Sequence, residues 1–210
     1  MLRRRAIVGR LIAAVLIGAV PPAHAQSAAR GVELSAGGGW GSLWDDETML
    51  GRGLSLGGGV ARTVGDKLRL AADVDWLDHD RDSGYLASEG RMTGVFGRAT
   101  YLFRAPSARV RPLAGASLGL LHSTGTLTMR SFNPLIPQAG QEPDRVMPWS
   151  LTRTAFDIHG GVGVRLNPRV ALRPEVRWRA TFGSAASTSL EPPLVNIETL
   201  VYLDVRLGPR

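Results

Sequence analysis

Along Arg169–Gly183, "RVALRPEVRWRATFG", apolar and polar side chains alternate almost residue by residue. Val170, Leu172, Pro174, Val176, Trp178, Ala180 and Phe182 fall on one face, with Arg169, Arg173, Glu175, Arg177, Arg179 and Thr181 on the other. A strand sends successive side chains to opposite faces, so this is a two-faced β-strand; helical spacing would mix the two sets. "KLRLAADVDW" repeats the code, with Leu68, Leu70, Ala72, Val74 and Trp76 opposite Lys67, Arg69, Asp73 and Asp75. "RTAFDIHGGVGVRL" sets Phe156, Ile158, Val162, Val164 and Leu166 against Arg153, Asp157, His159 and Arg165. "NIETLVYLDVRL" sets Ile197, Val201, Leu203, Val205 and Leu207 against Glu198, Tyr202, Asp204 and Arg206. In the mixed stretch "RMTGVFGRATYLF" the best apolar face is Val95, Ala99, Tyr101 and Phe103, with Arg98 opposite.

With the weaker Gly-rich stretches "VELSAGGGW", "LSLGGGVA" and "VRPLAGASLGLL", the pattern predicts eight strands, near 31–44, 51–63, 67–78, 90–104, 108–124, 151–166, 169–183 and 195–207. Pro112 and Pro174 enter the fifth and seventh strands at similar depth; Pro lacks a ladder donor, so a bulge or a rim position is expected at both. The connections alternate between short ("TVGD", "APSA", "NP") and long ("DDETML", "DHDRDSGYLASE", residues 125–150, "SAASTSLEPPLV"). Acidic residues gather at the long-loop end; Arg62, Lys67, Arg104, Arg109, Arg111, Arg165 and Arg169 crowd the other.

Period two does not say which face is buried. A soluble β-sandwich or lipocalin-like barrel would bury Val176 and Trp178; a transmembrane barrel would turn them to lipid and Arg177 to the lumen. The even strand number, the alternating connections, the mixed charges interleaved with glycine, and the aromatics Trp40, Trp44, Trp76, Tyr101, Phe103 and Phe182 toward strand ends favour the barrel. The fold class is therefore all-β: an eight-stranded antiparallel up-and-down transmembrane β-barrel, whose interior is just wide enough for side chains to fill.

The N-terminus changes the charge picture. "MLRRRAIVGRLIAAVLIGAVPPAHAQS" has a basic head, an apolar run too short to span a membrane, and a small-x-small site ending at Ala25. It reads as a secretory signal peptide over 1–25, with one barrel domain over 26–210. The leader holds four of the 25 Lys and Arg; against 18 Asp and Glu, the remainder is a formal +3. No clustered basic face calls for nucleic acid. The chain has no Cys, hence no disulfide and no lipoprotein anchor.

"GGVGVRLNPRVALRPEVRWR", Gly160–Arg179, resembles the penultimate hairpin of small bacterial outer-membrane β-barrel proteins of the outer membrane protein A type, and "VRPLAGASLGLL" resembles the strand after their second periplasmic turn. The resemblance implies insertion in the bacterial outer membrane, both termini periplasmic, and contact with outer-membrane lipid and lipopolysaccharide. A monomer with a structural or surface-interaction role carried by its loops is expected, with a surface ligand through loop 125–150. The chain ends "VRLGPR", where such chains often end on an aromatic residue.

The inward set is Glu33, Arg69, Asp73, Asp75, Arg98, Arg153, Asp157, Arg173, Glu175, Arg177, Arg179, Glu198, Asp204 and Arg206. Buried charges persist when paired, so these are expected to form a salt-bridged plug; a narrow solute channel is the alternative. For enzymatic chemistry the candidates are His122, Ser123, Asp157 and His159, with His159 pointing inward and His122 outward. Lipid A deacylases of this barrel class carry His-x-Ser after an Arg/Tyr-rich strand, and "RWRATFG" offers no His. No enzyme activity is expected; a lipid A-modifying hydrolase is the alternative. "DHDRDSGYLASE", Asp78–Glu89, has the acidic spacing of an EF-hand loop, making Asp78, Asp80, Asp82 and Glu89 candidate calcium ligands. Ser83 stands where the sharp-turn Gly belongs and strands flank the stretch, so a solvated hairpin tip is the competing reading. No other cofactor is expected.

Overall fold

The strands form where the alternation lies: β1 (Val32–Asp45), β2 (Thr48–Val64), β3 (Leu68–Asp82), β4 (Leu86–Leu102), β5 (Val110–Met129), β6 (Arg145–Arg165), β7 (Val170–Thr181) and β8 (Leu194–Arg206). The computed structural model describes residues 31–45, 48–104, 108–130, 144–182 and 194–207. Residues 1–30, where a signal peptide was expected, and residues 131–143 lie outside the described residues, as does most of the connection before β8. Each strand pairs antiparallel with the next, and β1 pairs with β8, which closes the barrel. Closure leaves no unpaired edge strand, so the backbone groups of each strand face a neighbour on both sides.

The faces are those of an inside-out protein. Leu70, Leu120, Ile158, Val176 and Val201 are exposed on the outer surface, whereas Arg177 between Val176 and Trp178 is fully buried. A soluble sandwich would have these reversed. On β3 the outward apolar residues run from Leu68 to Trp76. At ~3.3 Å per residue and a tilt near ~40° they cover roughly 20 Å of height, close to a ~25 Å apolar band. Aromatics mark both limits. Tyr101 and Phe103 meet edge-on at 5.1 Å at the short-turn end. Toward the long-loop end Phe156 packs against Trp178 and Phe182, and Arg91 lies 5.5 Å above the Trp76 ring.

Two expectations need correction. The long connections are shorter than predicted because strands continue beyond the apolar band. β3 runs to Asp82 and β4 begins at Leu86, so "DHDRDSGYLASE" is mostly hairpin. Likewise β5 reaches Met129 and β6 starts at Arg145, taking residues from both ends of the stretch 125–150, Pro148 included. Above the band the outer face turns polar (Asp78, Asp80, Arg91, Thr124, Thr126), so the alternation that reveals a strand disappears while the ladder goes on. No bulge occurs at Pro174. The β6–β7 ladder lapses opposite it, between Gly161↔Glu175 and Val164↔Leu172, and resumes in the same register. Pro112 is a rim residue, beyond the last β4–β5 pair, its carbonyl accepting from Phe103 N at 3.0 Å.

Candidate functional site

The lumen gathers the inward positions of all eight strands. Each of the fourteen predicted lumen residues is buried, except Asp204 and Arg206, which are half-buried at the short-turn end. There Glu33 accepts from Arg69 at 3.1 Å and from Arg206 at 2.8 Å, and Asp204 accepts from Arg173 Nε at 3.0 Å. Higher up, Arg98 lies 2.8 Å from Asp73 and 2.7 Å from Glu175, which also accepts from Arg173. At mid-height Arg177 donates to Asp75 at 2.6 Å and to the Tyr202 hydroxyl at 2.7 Å, with Glu175 and Glu198 each 3.3 Å away. Arg179 reaches Asp75 at 2.5 Å and Asp157 at 3.4 Å. Neighbouring carboxylates thus share guanidinium groups, which disperses the charge that burial would otherwise make costly. Glycine makes the room: a Cβ on Gly57 would stand 2.7 Å from the Tyr202 oxygen.

Above this network lies a layer the sequence reading missed. Leu43, Leu50, Leu77, Met92, Phe96, Leu121, Ala155 and Leu194 form a buried apolar cluster inside the barrel. The Arg179 guanidinium stacks 4.1 Å from the Phe96 ring and joins the two layers. Phe96 shares its face with Arg98, so the parity was available; an inward apolar residue simply resembles a lipid-facing one. Higher still, His79, Gly90, Gly125 and Trp149 sit in one cross-strand row. The two glycines let the rings of His79 and Trp149 fold toward each other, stacked at 6.0 Å. A Cβ on Gly90 would come within 2.8 Å of His79 Nε2, and one on Gly125 within 2.6 Å of Trp149.

The enzyme candidates separate. His122 faces outward, bonded to Thr152 Oγ1 at 2.9 Å, while Ser123 points inward, so the two do not meet. His159 does find a hydroxyl and a carboxylate: Nε2 lies 2.9 Å from Thr100 Oγ1 and Nδ1 3.3 Å from Asp157 Oδ1. Thr100 was not foreseen, because a cross-strand partner needs register. This hydroxyl–His–Asp row is sealed, with Thr100 at 1 %, His159 at 5 % and Asp157 at 0 % exposure. Neither the cavity at the short-turn end nor the one at the long-loop end is lined by any of the three.

The four candidate calcium ligands spread along the β3–β4 hairpin. Asp78, Asp80 and Asp82 alternate on the outer face of β3. Asp78 lies 3.7 Å from Arg91, and Glu89 accepts from Thr126 at 3.3 Å. Asp82 takes a bidentate grip from Arg130 (2.9 and 2.8 Å) and accepts from Gly84 N at 3.0 Å. These bonds, that from Arg130 foremost, hold the Asp82 carboxyl below the ordinary carboxylate range and the Arg130 guanidinium above its usual value. Gly84, at φ 80°, supplies the left-handed turn residue. Among the described residues, no three His, Asp or Glu side chains are placed to hold a metal ion.

A closed eight-stranded antiparallel wall, apolar outside and charged within, defines a transmembrane β-barrel of the bacterial outer membrane. The comparisons agree. The family model for the outer membrane protein beta-barrel domain matches residues 11–182, and the chain belongs to that family. The fold is similar to that of Neisserial surface protein A (16% identity, TM-score 0.64, covering 86% of this chain and 100% of that one). It is also similar to a major outer membrane protein of Thermus thermophilus (13% identity, TM-score 0.55, 84% and 99% covered). No curated protein matches the chain by sequence.

Proposed function

We propose that the protein is a structural, surface-presenting barrel whose lumen is closed to solutes. The observation that carries this is Arg177, 0 % exposed at mid-lumen with carboxylates from β3, β7 and β8 around it. An aqueous path would leave such a guanidinium wet. Eight strands enclose little more than their own side chains, and here the apolar cluster stacks above the ionic one. The outward role falls to the hairpins, where β3 to β6 rise past Trp76 with polar outer faces. The partners there are outer-membrane lipid and lipopolysaccharide at the wall and a surface ligand at the β5–β6 end.

Planar-bilayer recording tests the closed lumen. The refolded barrel should give no conductance steps above the bare bilayer. Reproducible steps that change when Glu198 or Arg177 is replaced would favour the narrow-channel alternative. The enzyme alternative is tested by mass spectrometry of lipid A from cells expressing His159→Ala, Ser123→Ala or the unaltered chain. Identical lipid A in cells with and without the protein supports a non-catalytic role; a change that His159→Ala abolishes would overturn it.

A further inference from the structure

At the short-turn end the lumen opens into a cavity of about 80 Å³. Among the described residues six arginines line it, Arg69, Arg111, Arg165, Arg169, Arg173 and Arg206, against two carboxylates, Glu33 and Asp204: six positive charges less two negative leaves a formal excess of four. Elsewhere in the lumen guanidinium and carboxylate groups interleave closely, as they do around Arg98 and Arg177. This mouth departs from that balance.

The donors come from different directions. Arg69 is 3 % exposed; its Nε serves Glu33 and its Nη2 serves Ser35, while Nη1 is buried without a hydrogen-bond partner among the described residues. Arg169 stands on the opposite side, in the Asn167–Pro168 turn. The Asn167 side chain accepts from the backbone N–H of Arg169 (2.8 Å) and of Val170 (2.9 Å), which fixes the turn. The Arg169 guanidinium is exposed on the rim of the cavity, without an ion pair or side-chain hydrogen bond among the described residues.

We infer that this cavity binds a phosphate-type anion. A tetrahedral oxyanion accepts hydrogen bonds from several sides at once, which suits guanidinium groups arriving from β3, β5, β6, β7 and β8. A lone carboxylate would be satisfied by one fork. The anion has two sources: a soluble phosphate compound entering the mouth, or a phospholipid headgroup reaching over the Asn167–Pro168 turn from the adjoining leaflet.

The test follows the arginine Nε–H NMR signals of the full barrel. One arm adds tripolyphosphate to nanodiscs of zwitterionic phosphatidylcholine; the other compares those discs with discs containing phosphatidylglycerol. Saturable shifts at Arg69 and Arg169 in the first arm identify a soluble ligand; shifts only in the second identify a headgroup. Arg165→Gln with Arg169→Gln should weaken binding by about tenfold or more, the loss of one or two charge-assisted bonds. Arg62→Gln, on the outer face, should leave it unchanged, and heat-dependent gel migration verifies that each variant folds. No saturable shift in either arm, or equal weakening by Arg62→Gln, would overturn the inference.

Discussion

Arg177 offers the sharpest test of the lumen. Replacing it with leucine removes the bonds to Asp75 (2.6 Å) and Tyr202 (2.7 Å) and the contacts with Glu175 and Glu198 at 3.3 Å. Hydrogen bonds to charged groups contribute ~1.5–3 kcal/mol each, so the two short ones alone suggest ~3–6 kcal/mol. Leucine escapes the desolvation that the guanidinium suffers, which offsets part of this, and ~3–5 kcal/mol is the expected loss for opening a buried ion pair. The orphaned groups differ. Asp75 keeps Arg179, and Glu175 keeps Arg98 and Arg173. Among the described residues Glu198 keeps only the Ser55 hydroxyl at 3.1 Å and Arg179 at 3.9 Å. Adding Glu198→Gln to Arg177→Leu should therefore recover about 1–3 kcal/mol, the penalty of an uncompensated buried group. Equilibrium urea unfolding in phosphatidylcholine vesicles, read by the fluorescence of the five tryptophans, measures both. A loss below ~1 kcal/mol for Arg177→Leu, or a further loss on adding Glu198→Gln, would refute the shared-charge account of this core.

Val176→Arg places a charge on the lipid face and should cost ~2–4 kcal/mol in the same assay, while Val176→Leu should be neutral within ~0.5 kcal/mol; the opposite order would invert the face assignment. The Asp82 carboxyl should titrate below an ordinary aspartate by NMR and move upward in Arg130→Ala. Because its folded pKa is depressed, the Arg130 contact is fully present above the ordinary Asp pKa and fades as pH falls through the lowered one. Calorimetric titration of millimolar calcium should give the same heat for the parent barrel and for Asp80→Ala; a saturable excess that Asp80→Ala removes would establish the calcium site.

How much of this was legible in the sequence follows from what period two can and cannot encode. Where the outer face meets lipid and the inner face is charged, the two sets separate cleanly. Arg173, Glu175, Arg177 and Arg179 could therefore be assigned inward without knowing any partner. Above Trp76 both faces mix polar and apolar residues. Asp78 and Asp80 point out, Leu77 and His79 point in, and the pattern reads as loop although the ladder continues. The buried apolar layer was lost for a related reason. Met92, Phe96 and Leu121 keep correct inward parity, but only their charged neighbours on the same face, such as Arg98, distinguish them from lipid contacts.

Partnership is the deeper omission, because it depends on register between strands far apart in the chain. Arg177 meets Asp75 across 102 positions and Ser55 meets Glu198 across 143. The His79–Gly90–Gly125–Trp149 row shows what such information would have revealed. Each glycine looks like an unremarked small residue in its own strand. Placed side by side by the ladder, the two leave a gap wide enough for facing rings, and a side chain at either would collide with one of them. The same holds at the basic mouth. Arg69 and Arg173 were foreseen as lumen charges and Arg165 and Arg169 as turn-end charges. It is closure of β8 onto β1, beside β7, that brings these with Arg111 and Arg206 around one cavity whose described lining also holds the carboxylates Glu33 and Asp204.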